Sequence, residues 1–208
     1  MKSLKFILVL IITITAFSVI VFILYKNSVA ARPEPELPIP EKFITSEVVA
    51  TSTEKHSYPY RLIIPSIELN AGVQHVGINQ KGNMANPAGF KDVGWYKYGP
   101  IPGQKGSAVI AGHFDNGLGL PAVFYELNEL QVGDDIYVQD EDGKKLLFKI
   151  IQTKQYDYMD TAASQEVFKS SDKVMLNLIT CDGTWIKDQK TYTKRFVVFA
   201  ELNDKVMR

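Results

Sequence analysis

Residues 58–208 are predicted to form an all-β domain, a closed barrel or a sandwich, on two observations. From Tyr58 onward, short apolar and β-branched runs alternate with Gly, Pro and Asp turns. Helix-like periodicity is confined to residues 123–130 and 161–168. Many short strands in about 150 residues close on themselves or stack as two sheets.

The candidate strands are 61–64, 71–78, 107–111, 135–139, 145–156, 173–181 and 195–202. The third runs into a Gly-rich loop from Phe114 to Gly119. The fourth and fifth flank Asp142-Gly143, a dipeptide that supplies the positive backbone angles of a tight hairpin. No internal repeat is visible. With 46% hydrophobic and 22% charged residues, the composition is that of a globular chain. Basic and acidic residues balance at 23 each, without the basic excess of proteins that neutralise phosphates, which argues against nucleic acid as a partner.

Ahead of the domain, residues 6–25 carry no charge. As a helix rising about 1.5 Å per residue, they cover about 30 Å, the thickness of a bilayer's hydrocarbon core. A secretory signal has a shorter apolar stretch, about 7–15 residues, before a small-residue cleavage site. Ser28-Val29-Ala30 would serve as such a site, but the length favours an uncleaved anchor. Lys2 and Lys5 precede the span and Lys26 follows it, a bias towards a cytoplasmic N-terminus with the rest of the chain outside the cell. The alternating prolines between Arg32 and Pro40 exclude helix and favour an extended stalk. The expected organisation is a cytoplasmic tip (1–5), a single transmembrane anchor (6–25), a Pro-rich extracellular stalk (26–57) and a folded domain (58–208) at the plasma membrane.

Three residues carry the expected chemistry. Cys181 is the sole cysteine, so no intrachain disulfide, CxxC or thiolate-cluster metal site is available. A free cysteine often packs as a small hydrophobe. Period two, however, puts Leu176, Leu178 and Thr180 on one face, and Met175, Asn177, Ile179 and Cys181 on the other. The Asn177 face is read as the one away from the barrel interior, so Cys181 should be partly exposed at a strand end beside Asp182-Gly183. Outside the cell such a thiol risks oxidation, which favours a working role. Arg195 opens the last strand and shares its non-core face with Val197, Phe199 and Glu201. If the strands ending at Cys181 and starting at Arg195 are antiparallel neighbours, thiol and guanidinium meet at one end; taken alone, Arg195 would be a solvated charge. His113 follows a strand and a glycine, where a ring can approach another strand, and a sequence-distant histidine is the usual partner of a catalytic thiol. His75 lies mid-strand and is read as structural; His56 falls in the stalk. With all three residues off the core, substituting any of them should barely alter stability. No phosphate loop, EF-hand, HExxH or GxSxG is present.

His113 in Ala-Gly-His, Asn177-Leu-Ile-Thr-Cys181 and Arg195 in Lys-Arg-Phe-Val-Val-Phe-Ala-Glu-Leu together resemble the sortase pattern over roughly residues 60–202. Asn177 stands where the family motif begins with threonine. The run from Val93 to Asp115 looks most like class F sortases, with class D next. The resemblance implies a closed eight-stranded barrel with one or two short helices, in a Gram-positive cell-surface setting and without a cofactor or metal. It also implies a cysteine transpeptidase that cleaves a C-terminal LPXTG-like sorting signal and passes the acyl group to an amine of the cell wall or a pilin-like protein. Cys181 would be the nucleophile, nearby cations raising its thiolate share, His113 the acid and base, and Arg195 the substrate and oxyanion clamp, with Thr180 at the substrate. Rival readings are a cysteine hydrolase or protease using the same residues and a non-catalytic adhesion module. An L,D-transpeptidase is a third, but its cysteine is typically followed by Arg, whereas Asp182 follows Cys181.

Overall fold

The structure, a computed structural model, describes residues 57–203 and the pair Ser18–Val19. The anchor and stalk expected over 6–57 fall, but for those few positions, outside the described residues. Eight strands form a closed barrel: β1 (Pro59–Ile64), β2 (Leu69–Val76), β3 (Val93–Tyr96), β4 (Gly106–Ala111), β5 (Asp135–Asp140), β6 (Lys145–Asp157), β7 (Val174–Ile186) and β8 (Thr191–Leu202). Their order around the barrel is β1-β2-β3-β4-β7-β8-β6-β5. One helix, α1 (Thr161–Val167), lies between β6 and β7. Asp160 caps it, its Oδ1 accepting from the Ala162 amide at 2.8 Å.

Seven strands match the sequence expectation, and β3 is the addition. Val93–Tyr96 is only four residues long and all of them are buried. It therefore shows no alternation, and Gly94 interrupts its apolar run. A Cβ at Gly94 would lie 2.9 Å from Val76 Cγ1, so close strand approach requires glycine there. Strand β3 is recognisable only from its partners, β2 in parallel and β4 antiparallel. The Asp142-Gly143 hairpin forms as expected, with Gly143 at φ +84° and its amide on the Asp140 carbonyl at 3.0 Å.

Of the two helix-like segments, 161–168 is helical over Thr161–Val167. The other, 123–130, yields only a 3₁₀ turn at Leu127–Glu129. Its Phe124 amide donates instead to the His113 carbonyl at 2.9 Å, which draws the segment onto the end of β4. Phe124, Leu127 and Leu130 are inserted into the interior of the barrel with Trp95, Ile110, Phe148 and Leu178.

A second apolar cluster lies on the outer face of β4, β7 and β8, where Val109, Ala111, Ile179, Val197 and Phe199 are covered by Ala163, Val167, Phe168, Met84 and Tyr96. This corrects the expectation of a solvent-facing surface there. Asn177 is only 1% exposed; its Nδ2 donates to the Val167 carbonyl at 2.6 Å and ties α1 to the sheet. The polar residue marks an internal bond rather than a wet face.

Candidate active site

Three neighbouring strands bring the expected residues into one row. Strands β4 and β7 are parallel, with Ala111 opposite Ile179, so two residues further on His113 comes level with Cys181. The Gly112 amide continues the ladder to the Ile179 carbonyl at 3.1 Å. On the other side β7 and β8 are antiparallel, and Cys181 is directly opposite Arg195. All three belong to the outer face.

Two details of the expectation change. Neither strand terminates at the site: β7 runs to Ile186 and β8 begins at Thr191, leaving only residues 187–190 as the turn. Asp182-Gly183 is a bulge rather than a stop. The register shifts between Asp182 and Trp185, Gly183 has φ +82°, and pairing resumes at Trp185 and Tyr192. A Cβ on Gly183 would overlap the Thr193 hydroxyl. The second change is burial. Cys181, His113 and Arg195 are 5%, 7% and 4% exposed; Pro87 and Phe90 lie against His113, and along the same face α1 and Met84 pack with Ile179, Val197 and Phe199.

The His113 ring packs against Phe90, centroids 5.2 Å apart, and its Nε2 lies 3.3 Å from the Pro87 carbonyl. A carbonyl can only accept, so Nε2 carries a hydrogen in this contact. Gly112 is needed beneath it, since a Cβ there would overlap the Phe124 ring. Thr180 lies on the inner face, 1% exposed, its hydroxyl donating to the Gly112 carbonyl at 2.9 Å. It braces the stem of His113 from the barrel's inner side.

The Arg195 guanidinium is held from within its own hairpin. Nη1 donates to the carbonyls of Lys194 (2.9 Å) and Tyr192 (3.1 Å), and Nη2 to Thr191 Oγ1 (2.9 Å). Nε is buried without a hydrogen-bond partner. A buried donor left open is costly, and this one can donate to an acceptor supplied from outside the hairpin.

Sequence reasoning passed over Asp115, Asp182 and Tyr192. The Asp182 carboxylate is clamped by Gln155 Nε2 at 2.6 Å and by the Gly183 amide at 2.8 Å. Tyr192 donates its phenol to Asp115 Oδ2 at 2.6 Å. Asp115 lies two residues after His113, but Tyr192 could have been placed only by recognising that the hairpin continues past Asp182.

Burial pushes the Cys181 thiol up from 9.0 to about 11. Arg195 and the Tyr192 amide pull the other way; Asp115 and Asp182 reinforce the rise. A neighbouring cation therefore acts with the expected sign but is outweighed by desolvation. Because the folded state keeps this proton to higher pH than the unfolded chain, the group stabilises the fold fully below about pH 9, and that contribution is lost as pH rises through about 11. In the free protein, iodoacetamide should alkylate Cys181 about tenfold faster for each unit of pH above neutrality. A stopped-flow profile already flat near neutral pH would show that the thiol is not suppressed by burial.

A barrel whose single thiol lies between a buried histidine and a buried arginine on adjacent strands is the frame of a cysteine enzyme. A family model described as the sortase domain matches residues 62–203. The chain belongs to the sortase family of cysteine transpeptidases. Its fold is similar to sortase C from Clostridium perfringens SM101 (22% identity, 73% of this chain and 72% of that one, TM-score 0.52). It is also similar to Listeria monocytogenes sortase A (22%, 72% and 89%, 0.52). Sortase C2 of pilus island 1 from group B Streptococcus aligns at 22% identity over 88% of this chain and 94% of that one, with a TM-score of 0.53. No curated protein matches the chain in sequence.

Proposed function

We propose that this sortase cleaves an LPXTG-like signal at the C-terminus of a surface protein and transfers the acyl group to an amine of the cell wall or of a pilin-like protein. The observation that carries the reading is the single row of His113, Cys181 and Arg195 across β4, β7 and β8. In this scheme the Cys181 thiol passes its proton to His113 as the sulfur attacks the Thr–Gly carbonyl. The S–C bond forms, the C–N bond breaks, and His113 protonates the departing amine. An incoming amine then attacks the thioester, His113 takes its proton, and the thiolate is released. Arg195 Nε–H, the guanidinium nitrogen without a partner in the hairpin, would bind the carbonyl oxygen as it gains charge.

Burial supports transfer over simple hydrolysis, since a thiol shielded from bulk water protects a thioester until the amine arrives. The test is mass spectrometry of the chain with LPXTG-type peptides, with and without an amine. The expected result is an acyl adduct on Cys181 and a product whose mass follows the amine. A product that is the same with and without amine would favour the hydrolase reading, and no adduct with any such peptide would defeat both.

The location proposed is the plasma membrane, single-pass, with the domain outside the cell, supported by the uncharged run at 6–25 and its lysine flanks. Protease added to wall-less cells should digest the domain and spare an N-terminal fragment. A soluble protein beginning near Ala31 would instead mean a cleaved signal. Within the family, the run from Val93 to Asp115 supports class F ahead of class D.

A further inference from the structure

Tyr192 lies between Arg195 and the segment after β4. Its backbone amide favours the Cys181 thiolate. Its carbonyl accepts from Arg195 Nη1 at 3.1 Å. Its phenol donates to Asp115 Oδ2 at 2.6 Å, on the loop that begins at His113. The ring is fixed from two sides, edge-on to Trp185 (5.2 Å between centroids) and to Phe114 (5.4 Å). The loop is itself braced: Asn116 Oδ1 accepts from the amides of Leu118 (2.8 Å) and Leu120 (3.0 Å), and the Asn116 amide donates to the Leu120 carbonyl at 2.8 Å. A single side chain thus joins the β7–β8 hairpin to the segment after β4, across the nucleophile.

We propose that Tyr192, clamped by Asp115, is the positioning residue that holds thiol, guanidinium and the His113 loop in register, and that the phenol–carboxylate bond sets how readily Cys181 reacts. This rests on the reading of Cys181 as nucleophile. The physical basis is the direction of the phenol dipole. The Asp115 carboxylate places negative charge near the sulfur and disfavours a thiolate. The Tyr192 hydroxyl donates into that carboxylate and offsets part of its field. Removing the donor while keeping the acid, and removing the charge while keeping an acceptor, must then change the thiol in opposite senses.

The charged and titratable groups facing Cys181 are Asp182 on its own strand, Arg195 and Tyr192 on β8, and His113 and Asp115 on the segment after β4. Lys194, on the alternate side of β8 from Arg195, is paired with Asp157 at 3.3 Å, and on the outer face Lys154 is paired with Glu166 at 2.7 Å. Apart from the two substituted groups themselves, these are common to the variants compared, so opposite shifts isolate the Asp115–Tyr192 bond.

The experiment is the pH profile of Cys181 alkylation by iodoacetamide in the full chain, for wild type, Tyr192→Phe and Asp115→Asn. Tyr192→Phe keeps the ring packing but leaves the carboxylate without its phenol; alkylation at neutral pH should slow about three- to tenfold and the profile should move to higher pH. Asp115→Asn keeps an amide oxygen for the phenol and removes the charge; alkylation should speed up by a similar factor and the profile should move to lower pH. Shifts in the same direction, or no shift in Tyr192→Phe, would overturn the proposal. If Asp115→Asn does not fold, Tyr192→Phe decides alone, an alkaline shift supporting and an unchanged profile refuting. Alkylation needs no sorting peptide, so the result stands apart from whether the chain turns such a peptide over.

Discussion

Cys181→Ala is expected to form no acyl-enzyme and no transfer product. Cys181 is the only cysteine in the chain, and the residues that meet it across the row, His113 and Arg195, are not replacements for a thioester-forming thiol. The loss should therefore reach the detection limit rather than a residual fraction of wild type. The same substitution also tests the burial. Cys181 is 5% exposed, and deleting its sulfur resembles a one-atom truncation in a core, costing about 0.5–1.5 kcal/mol. In a domain of this size that lowers Tm by about 2–4 °C per kcal/mol. The sequence expectation of no stability change is thus replaced by a small loss. Acylation measured by mass spectrometry, beside a calorimetric scan, checks both. Turnover near the wild-type rate would remove Cys181 as nucleophile.

The second large effect is expected from Arg195→Lys. An ammonium keeps the charge but not the planar fork that reaches Thr191, Tyr192 and Lys194 together while leaving Nε free. Losing one oxyanion donor costs about 10²–10³ in rate, and acyl-enzyme formation should fall by that order. Stability should fall as well, and by more than in Cys181→Ala. Hydrogen bonds to a charged group contribute about 1.5–3 kcal/mol each, and a lysine here cannot restore all three at 4% exposure. Single-turnover acylation at saturating peptide separates this from weaker binding. A rate within about tenfold of wild type would mean that the oxyanion is held by other donors.

Much of this was legible in the chain because it depends on local periodicity. Strands read as period two, and Leu176, Leu178 and Thr180 do face inward while Asn177, Ile179 and Cys181 face outward. The hairpin at Gly143 follows from its dipeptide, and the helix at Thr161–Val167 from its own spacing and cap. Strand β3 was not legible, because four consecutive buried residues with a central glycine carry no period. Nor was the continuation of β7 beyond Asp182, since Asp-Gly reads equally as a turn and as a bulge until the partner strand is known.

The sequence by itself determined which face of each strand Cys181 and Arg195 occupy, because alternation is a property of the extended backbone alone. It also singled out Cys181, His113 and Arg195, which the fold brings into one row. Only the tertiary structure decided that this outer face carries a second core and that the thiol is itself buried and held protonated to higher pH. The face is covered by Val167, Phe168 and Met84 over Ile179, Val197 and Phe199, and by Phe90 against His113, residues that lie on none of the strands they cover. Desolvation is a sum over such neighbours, and no window of residues along one strand contains it.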